Sequence, residues 1–410
     1  MLPTMVLPTV IRSLNFSEDR TDLLRGFSPA EWTRLLALTD EAHISLPMAT
    51  RCRDVMPEPV RAQVDACIAR NEIRHVRIAE DHARLAEAMR LHGAEFLVLK
   101  GLTHTGYWST TSRDRPQYDI DLYCPPESMR AAAAAAKSLG YETVPTIGGS
   151  ASDHLPIMIR RTGWRWRGDY YDPDQPLALE LHHRFWNPSL GFNVHGADQF
   201  WSRKRTSVFA GVALPALHPA DLSTYAAWHA LRHMLGGSLK ILHAYELAHF
   251  LHHSARDDEF WREWRGFGAP AGRRAESVAF RLAREWFGCA VNPVVEEYLA
   301  ALPANVERWF RLFAFSYIGK FGQPGKDDLF LNLCLVENKK EVWRIAARRI
   351  VPLTVPPAAL DAHIRPKTAG DRSKRRMYRV VFIVRRALFH LRTLAPVARS
   401  GIRWWFARPQ

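Results

Sequence analysis

The chain has 410 residues, 47% of them apolar and 24% charged, with a formal net charge of +14. That length allows two or three domains, and the composition reads as globular rather than disordered. Five scattered cysteines with no Cys-x-x-Cys pair argue against a disulfide framework or a zinc ribbon and fit a reducing compartment.

The N-terminus has no basic segment ahead of an apolar stretch, so no secretory signal is expected. No apolar run approaches about 18 residues, so no transmembrane helix is expected either. Together these place the chain in the cytoplasm. Residues 1–94 read as a helical N-terminal region. Glu31, Trp32, Leu35, Leu36 and Leu38 share one candidate helix, and Pro57 and Pro59 interrupt the chain. Apolar residues at helical spacing then run over 60–91 and stop at His92-Gly93.

The next segment changes period. A strand is expected over 96–99, closing on Lys100-Gly101, then a helix or loop over 102–110 and a strand over 118–123. A helix over 126–139 carries six consecutive alanines and ends at Gly140. Strands follow near 141–147, 155–160 and 177–183. The stretch 163–176, rich in Trp, Arg, Asp and Tyr, reads as a hairpin or a rim loop. From Pro219 to about Ile350 the pattern is helical, with candidates over 219–235, 239–253, 273–286, 293–302 and 329–349. A proline-bearing linker occupies 351–357.

The tail holds most of the charge. Residues 365–410 contain 13 Lys and Arg against one acid, Asp371, so the first 364 residues carry only +2. The cluster 372–376 precedes a basic amphipathic segment over 378–394, in which Val380, Val381, Ile383, Val384, Leu388 and Leu391 alternate with arginines. Trp404-Trp405-Phe406 follows. Such a segment suits the anionic inner face of a membrane, or nucleic acid, or a helix docked on its own protein.

The chemistry concentrates at Tyr118-Asp119-Ile120-Asp121-Leu122-Tyr123. On a strand, alternate side chains share a face, so both carboxylates project together while Ile120 and Leu122 enter the core. Two adjacent carboxylates repel unless a cation sits between them. Hard oxygen ligands suit Mg²⁺, which pairs carboxylates with substrate phosphates. Lys100-Gly101 and Arg113 with Arg115 lie upstream. Glu180, within Leu177-Ala178-Leu179-Glu180-Leu181-His182, offers a third carboxylate.

Residues from about Phe96 to Phe185 resemble the uncharacterised nucleotidyltransferase family of the DNA polymerase β-like superfamily. The matching pieces are Val98-Leu99-Lys100-Gly101, Tyr107, Arg115-Pro116-Gln117-Tyr118-Asp119-Ile120-Asp121-Leu122, Gly140-Tyr141, His154 and Glu180-Leu181-His182. One departure is Gly101-Leu102, where the superfamily usually has Gly-Ser. The spacing from Gly101 to Asp119 is also longer than in the most compact members.

The resemblance implies an α+β fold: a small mixed-sheet nucleotidyltransferase core over 95–218, flanked by the helical region 1–94 and an all-α domain over 219–350. Linker and basic tail fill 351–410. It implies transfer of a nucleoside monophosphate from an NTP to an unknown acceptor. Asp119, Asp121 and Glu180 would hold Mg²⁺ and act catalytically. Lys100, Gly101, Arg115 and Arg113 would contact the nucleotide, and His182 and His154 would orient their neighbours. Glu246 falls where the family often carries an acid. A rival expectation is a catalytically idle nucleotide-binding or membrane-associated adaptor of the same fold, favoured by the missing serine. His229 with His233, and His249 with His252 or His253, share helix faces, but no His-Glu-x-x-His motif accompanies them, which argues against zinc.

Overall fold

In the computed structural model, which describes residues 6–104, 115–144, 153–321, 325–350 and 369–407, helices dominate both ends of the chain. Three short helices, α1 (Val6–Ser13), α2 (Pro29–Ala42) and α3 (Ser45–Arg51), precede the 34-residue α4 (Glu58–Leu91). The start of α2 is written in its sequence. Ser28 accepts from the Glu31 amide, the Glu31 carboxylate accepts from the Ser28 amide at 2.9 Å, and Pro29 occupies the first turn.

A seven-stranded mixed sheet follows. Its strands are β1 (Leu97–Val98), β2 (Asp119–Tyr123), β3 (Tyr141–Thr143), β4 (Met158–Arg160), β5 (Ala178–His182), β6 (Arg205–Phe209) and β7 (Val212–Ala216). Their spatial order is β3-β4-β5-β2-β1-β7-β6. Helices α5 (Met129–Ser138) and α6 (Asp198–Ser202) interrupt them. The central pair β2 and β5 run parallel, in a register that sets Asp121 beside Glu180 and Asp119 beside Ala178.

The expected strands are present but shorter. A 3₁₀ turn, Gly101–His104, opens the segment expected as helix or loop, whose remainder from 105 lies outside the described residues. Of the two forms expected for residues 163–176, hairpin or rim loop, the structure has the loop, and Trp166 and Tyr170 from it line a cavity. The β6–β7 hairpin has no counterpart among the expectations. It turns on Ala210 (φ 47°) and Gly211 (φ 80°), both left-handed as a type I′ turn requires. The usual sequence mark of that turn is Asn-Gly or Asp-Gly, and Ala-Gly is not one.

The C-terminal half is helical: α7 (Pro219–Gly236), α8 (Ile241–Ser254), α9 (Asp258–Phe267), α10 (Pro270–Phe287), α11 (Pro293–Ala300), α12 (Ala304–Phe313) and α13 (Ser316–Gly319). The expected helix over 329–349 is two, α14 (Asp328–Leu335) and α15 (Lys339–Ile350), because Val336 leaves helical geometry at ψ 123°. The tail helix α16 (Ala369–Phe406) is longer than expected.

Two large apolar cores and a small cluster of Leu329, Val336 and Ile345 result among the described residues. One lies on one face of the sheet, where Ile120, Leu122, Leu179, Leu181, Val98 and Leu214 pack against α5 and the second half of α4. The larger one runs from the N-terminal helices through Leu97, Leu99 and Phe185 into α7, α8, α10 and α12. Helix α4 bridges both: Val64 and Ile68 enter the larger core, and Leu85 and Met89 enter the other. Between those halves Arg74 is buried. Its Nε donates to the Gln117 carbonyl at 3.0 Å and its Nη1 to the Asp172 carbonyl at 2.9 Å, which pins the backbone just ahead of Asp119.

Candidate active site

The period-2 alternation of β2 turns Ile120 and Leu122 into the core and presents Asp119 and Asp121 on the opposite face. Lys100, one residue beyond Leu99 at the end of β1, reaches both acids. Its Nζ lies 3.1 Å from Asp121 Oδ2 and 3.5 Å from Asp119 Oδ2. Burial alone would lower the Lys100 pKa, but the neighbouring carboxylates of Asp119 and Asp121 more than reverse this and raise it.

The two aspartates are not equivalent. Asp121 is 1% exposed and Asp119 39%. Burial and repulsion from Asp121 push the Asp119 carboxyl upward. Burial also opposes ionisation of Asp121, yet Lys100 and His182 hold its pKa down. Glu180 is held at about 2 against its own burial, by His182 and Lys100.

His182 joins the acids. Its Nε2 is 3.1 Å from Asp121 Oδ1 and 3.4 Å from Glu180 Oε2, and its Nδ1 is 3.4 Å from Asp153 Oδ2. Asp153 in turn pairs with Arg232 of α7. Asp153 and Arg232 did not figure in the sequence reading. Neither lies in a local motif, and Arg232 reaches the site only because α7 packs there. His182 itself was legible, two residues beyond Glu180 on the same strand face.

The expected nucleotide contacts divide. Lys100 lines the cavity beside the acids. Gly101 has φ 77°, and a Cβ there would come within 2.4 Å of Gln117 Nε2. That amide donates to the Asp119 carbonyl at 2.7 Å, so Gly101 makes room for Gln117. Arg115 lines the cavity, but its Nε donates to Glu246 Oε1 of α8 at 2.6 Å. Burial opposes ionisation of Glu246, and Arg115 holds it at about 2 nonetheless. His104 lies 3.5 Å from the other oxygen of Glu246. Arg113 lies outside the described residues. His154 forms an isolated bridge with His182 and stands 5.2 Å from its ring, its Nδ1 2.6 Å from the Leu155 carbonyl oxygen.

Asp119 and Lys100 line a cavity of about 400 Å³, and Asp121 and Glu180 lie behind them. Its wall includes aromatic rings, Trp166 and Tyr170 from the 163–176 loop, Tyr118, and His43, whose ring is 4.8 Å from that of Tyr118. It also carries His229, His233, His243 and Lys240 from α7, α8 and the turn between them. A second cavity of about 370 Å³ shares Ser238 and Lys240 with the first and has Phe389 of α16 in its wall.

Could the site hold a metal? Asp121, Glu180 and His182 offer ligand atoms all within 4.8 Å of one another, and among the described residues they form the one such group. Asp121 Oδ2 is buried, with the Lys100 ammonium 3.1 Å away. Two carboxylates, an adjoining third and an imidazole suit a hard divalent cation. The histidine pairs of α7 and α8 form no such group, although His233 Nε2 lies 3.0 Å from His229 Nε2.

Those histidines have a consequence for pH. Burial, then Arg232 and Lys100, lowers His233 to about 3, and burial, then Lys240, lowers His43 to about 3. Each is neutral in the folded state where the unfolded chain, near pH 6.5, already takes up a proton. Stability is therefore complete above about pH 6.5 and falls as pH drops toward 3. At about pH 5 each histidine is expected to cost roughly 2 kcal/mol. Thermal midpoints measured from pH 8 to 5 should fall for the native chain and fall less for His233→Asn. Parallel curves would remove this account.

A family model described as an uncharacterised nucleotidyltransferase matches residues 28–288. No curated protein matches, and no solved structure does.

Proposed function

This chain belongs to that uncharacterised nucleotidyltransferase family, and from that membership we propose that it moves a nucleoside monophosphate from an NTP to an acceptor, releasing pyrophosphate. The observation that carries the reading is the register of β2 and β5, which sets Asp121 beside Glu180, with Asp119 and Lys100 next to them in the wall of the cavity of about 400 Å³.

The acceptor oxygen forms a bond to the α-phosphorus as the bond from that phosphorus to the bridging oxygen breaks. The pyrophosphate leaves with that electron pair. The acceptor proton passes to Glu180, which is ionised at neutral pH. Asp119, Asp121 and Glu180, with His182 beside them, would hold a divalent cation, with Mg²⁺ the natural choice for oxygen ligands. When bound, that ion supplies charge neutralisation for the phosphate oxygens. Lys100 offers a positive charge to the triphosphate where the superfamily's serine is absent. Arg115 contributes a guanidinium edge whose direction Glu246 fixes. The aromatic residues of the cavity suit a base, and Lys240 offers a further positive charge to phosphate.

One observation favours the rival, an idle nucleotide-binding adaptor. The Lys100 ammonium already stands between the two aspartates and balances them without a metal. Incubation with each α-labelled NTP and Mg²⁺ separates the two. Pyrophosphate release and label on an acceptor are expected, both absent from Asp119→Ala. Equal signals from the two proteins would defeat the catalytic reading, and nucleotide binding without release would favour the adaptor.

A further inference from the structure

Helix α16 is 38 residues long, and its sides differ. At about 100° per residue, His390, Thr393, Val397, Ser400 and Trp404 fall on one arc. That arc is docked. Trp404 stacks on Phe330 and Phe313 with centroids 6.0 and 6.3 Å away, Ser400 Oγ donates to Asp327 Oδ1 at 2.6 Å, and His390 Nδ1 lies 3.0 Å from Lys326 Nζ. Thr393 is fully buried.

The opposite arc holds Val380, Val384, Leu388, Leu391, Ile402 and Trp405. They are 44 to 82% exposed. Arg385, Arg392 and Arg399 run along one border of this stripe and Arg376 lies on the other; Arg379 falls in line with the docked arc, ahead of its contacts, and all of them are exposed. None of these five has an ion pair among the described residues. At ~1.5 Å per residue the helix is about 57 Å long, yet no helix of the structure is long and apolar enough to cross a membrane.

We propose that α16 seats the protein on an anionic lipid surface, lying in the plane of the interface with the Val380–Trp405 stripe in the acyl boundary and the arginines among the headgroups. Two features must be satisfied together, the uncovered apolar stripe and its basic rims. An anionic bilayer satisfies both: apolar area leaves water, and each arginine meets negative charge. Nucleic acid would take the arginines and leave the stripe hydrated. A second copy of the chain would cover the stripe but bring two arginine rims together. Trp405, 82% exposed, suits the headgroup boundary, where its ring and N–H are both accommodated.

The test is co-sedimentation of the full chain with vesicles of phosphatidylcholine alone or mixed with phosphatidylserine. Binding is expected only with phosphatidylserine, weakening as salt rises. Leu391→Glu with Val384→Glu should abolish it, and Arg385→Glu or Arg392→Glu should each lower the partition coefficient at least about fivefold. All four positions are exposed, so the variants should fold, and unchanged thermal midpoints would establish this. Vesicle binding by the double variant equal to that of the native chain overturns the proposal. So does a single-stranded oligonucleotide outcompeting the vesicles, or a dimer that the double variant dissolves.

Discussion

Asp121→Asn is expected to abolish nucleotidyl transfer while leaving the fold in place. The side chain is 1% exposed, so its shape matters for packing, and asparagine keeps that shape. What is lost is the charge. The negative oxygens of Asp121 hold Lys100 and His182, and His182 in turn reaches Glu180. An amide offers one weaker acceptor and a donor that has no acceptor facing Lys100. A loss on the order of 10³-fold in kcat is expected, or about 4 kcal/mol of transition-state stabilisation. Substrate affinity should change far less, because the aromatic and histidine walls of the cavity are untouched. Rates with α-labelled NTP and thermal midpoints would be read together. A variant retaining a tenth of native activity would place the chemistry elsewhere.

The largest expected loss of stability is far from the cavity, at Glu276→Ala. Arg273 and Glu276 form a buried ion pair on α10, 3% and 1% exposed. Glu276 also accepts from Trp264 Nε1 at 2.8 Å and from Thr224 Oγ1 at 3.0 Å. The Arg273 guanidinium stacks 3.5 Å from the Trp264 ring and donates to the Trp264 carbonyl. Removing Glu276 strands a buried guanidinium and two further donors. Breaking a buried pair from one side costs about 3–5 kcal/mol. Replacing both partners with apolar residues of similar volume should cost much less, since no charge is then stranded. Chemical denaturation of Glu276→Ala and of Arg273→Met/Glu276→Leu would decide the matter. Equal midpoints for the two would mean that lost packing, not the orphaned charge, sets the cost.

The carboxylate strand was legible because its information is local. Alternation over 118–123 fixes which side chains share a face, and a second apolar run with Glu180 supplies a partner. The α2 start was local too, in Ser28-Pro29 and Glu31. What escaped is long-range or atypical. Arg74, buried mid-helix to hold the Gln117 backbone, looks like any solvated helix arginine in the sequence. Asp153 and Arg232 are 79 residues apart and meet only through tertiary packing. Gly101 was assigned to phosphate approach, yet Gln117 fills the space that its missing Cβ leaves. The hairpin over 205–216 lacked the usual turn residues. The break at Val336 escaped because apolar spacing continues across it while the backbone does not.

The electrostatic chain from Arg232 through Asp153 and His182 to Asp121 joins the helical half to the strands, and the Arg115–Glu246 pair joins them again. A cut between residues 218 and 219 would sever both. The sheet with its acids is thus not a portable cassette: excised or transplanted, it would keep Lys100 and His182 beside the acids but leave Asp153 without Arg232 and Arg115 without Glu246. The seam between strands and helices therefore has to travel as one piece.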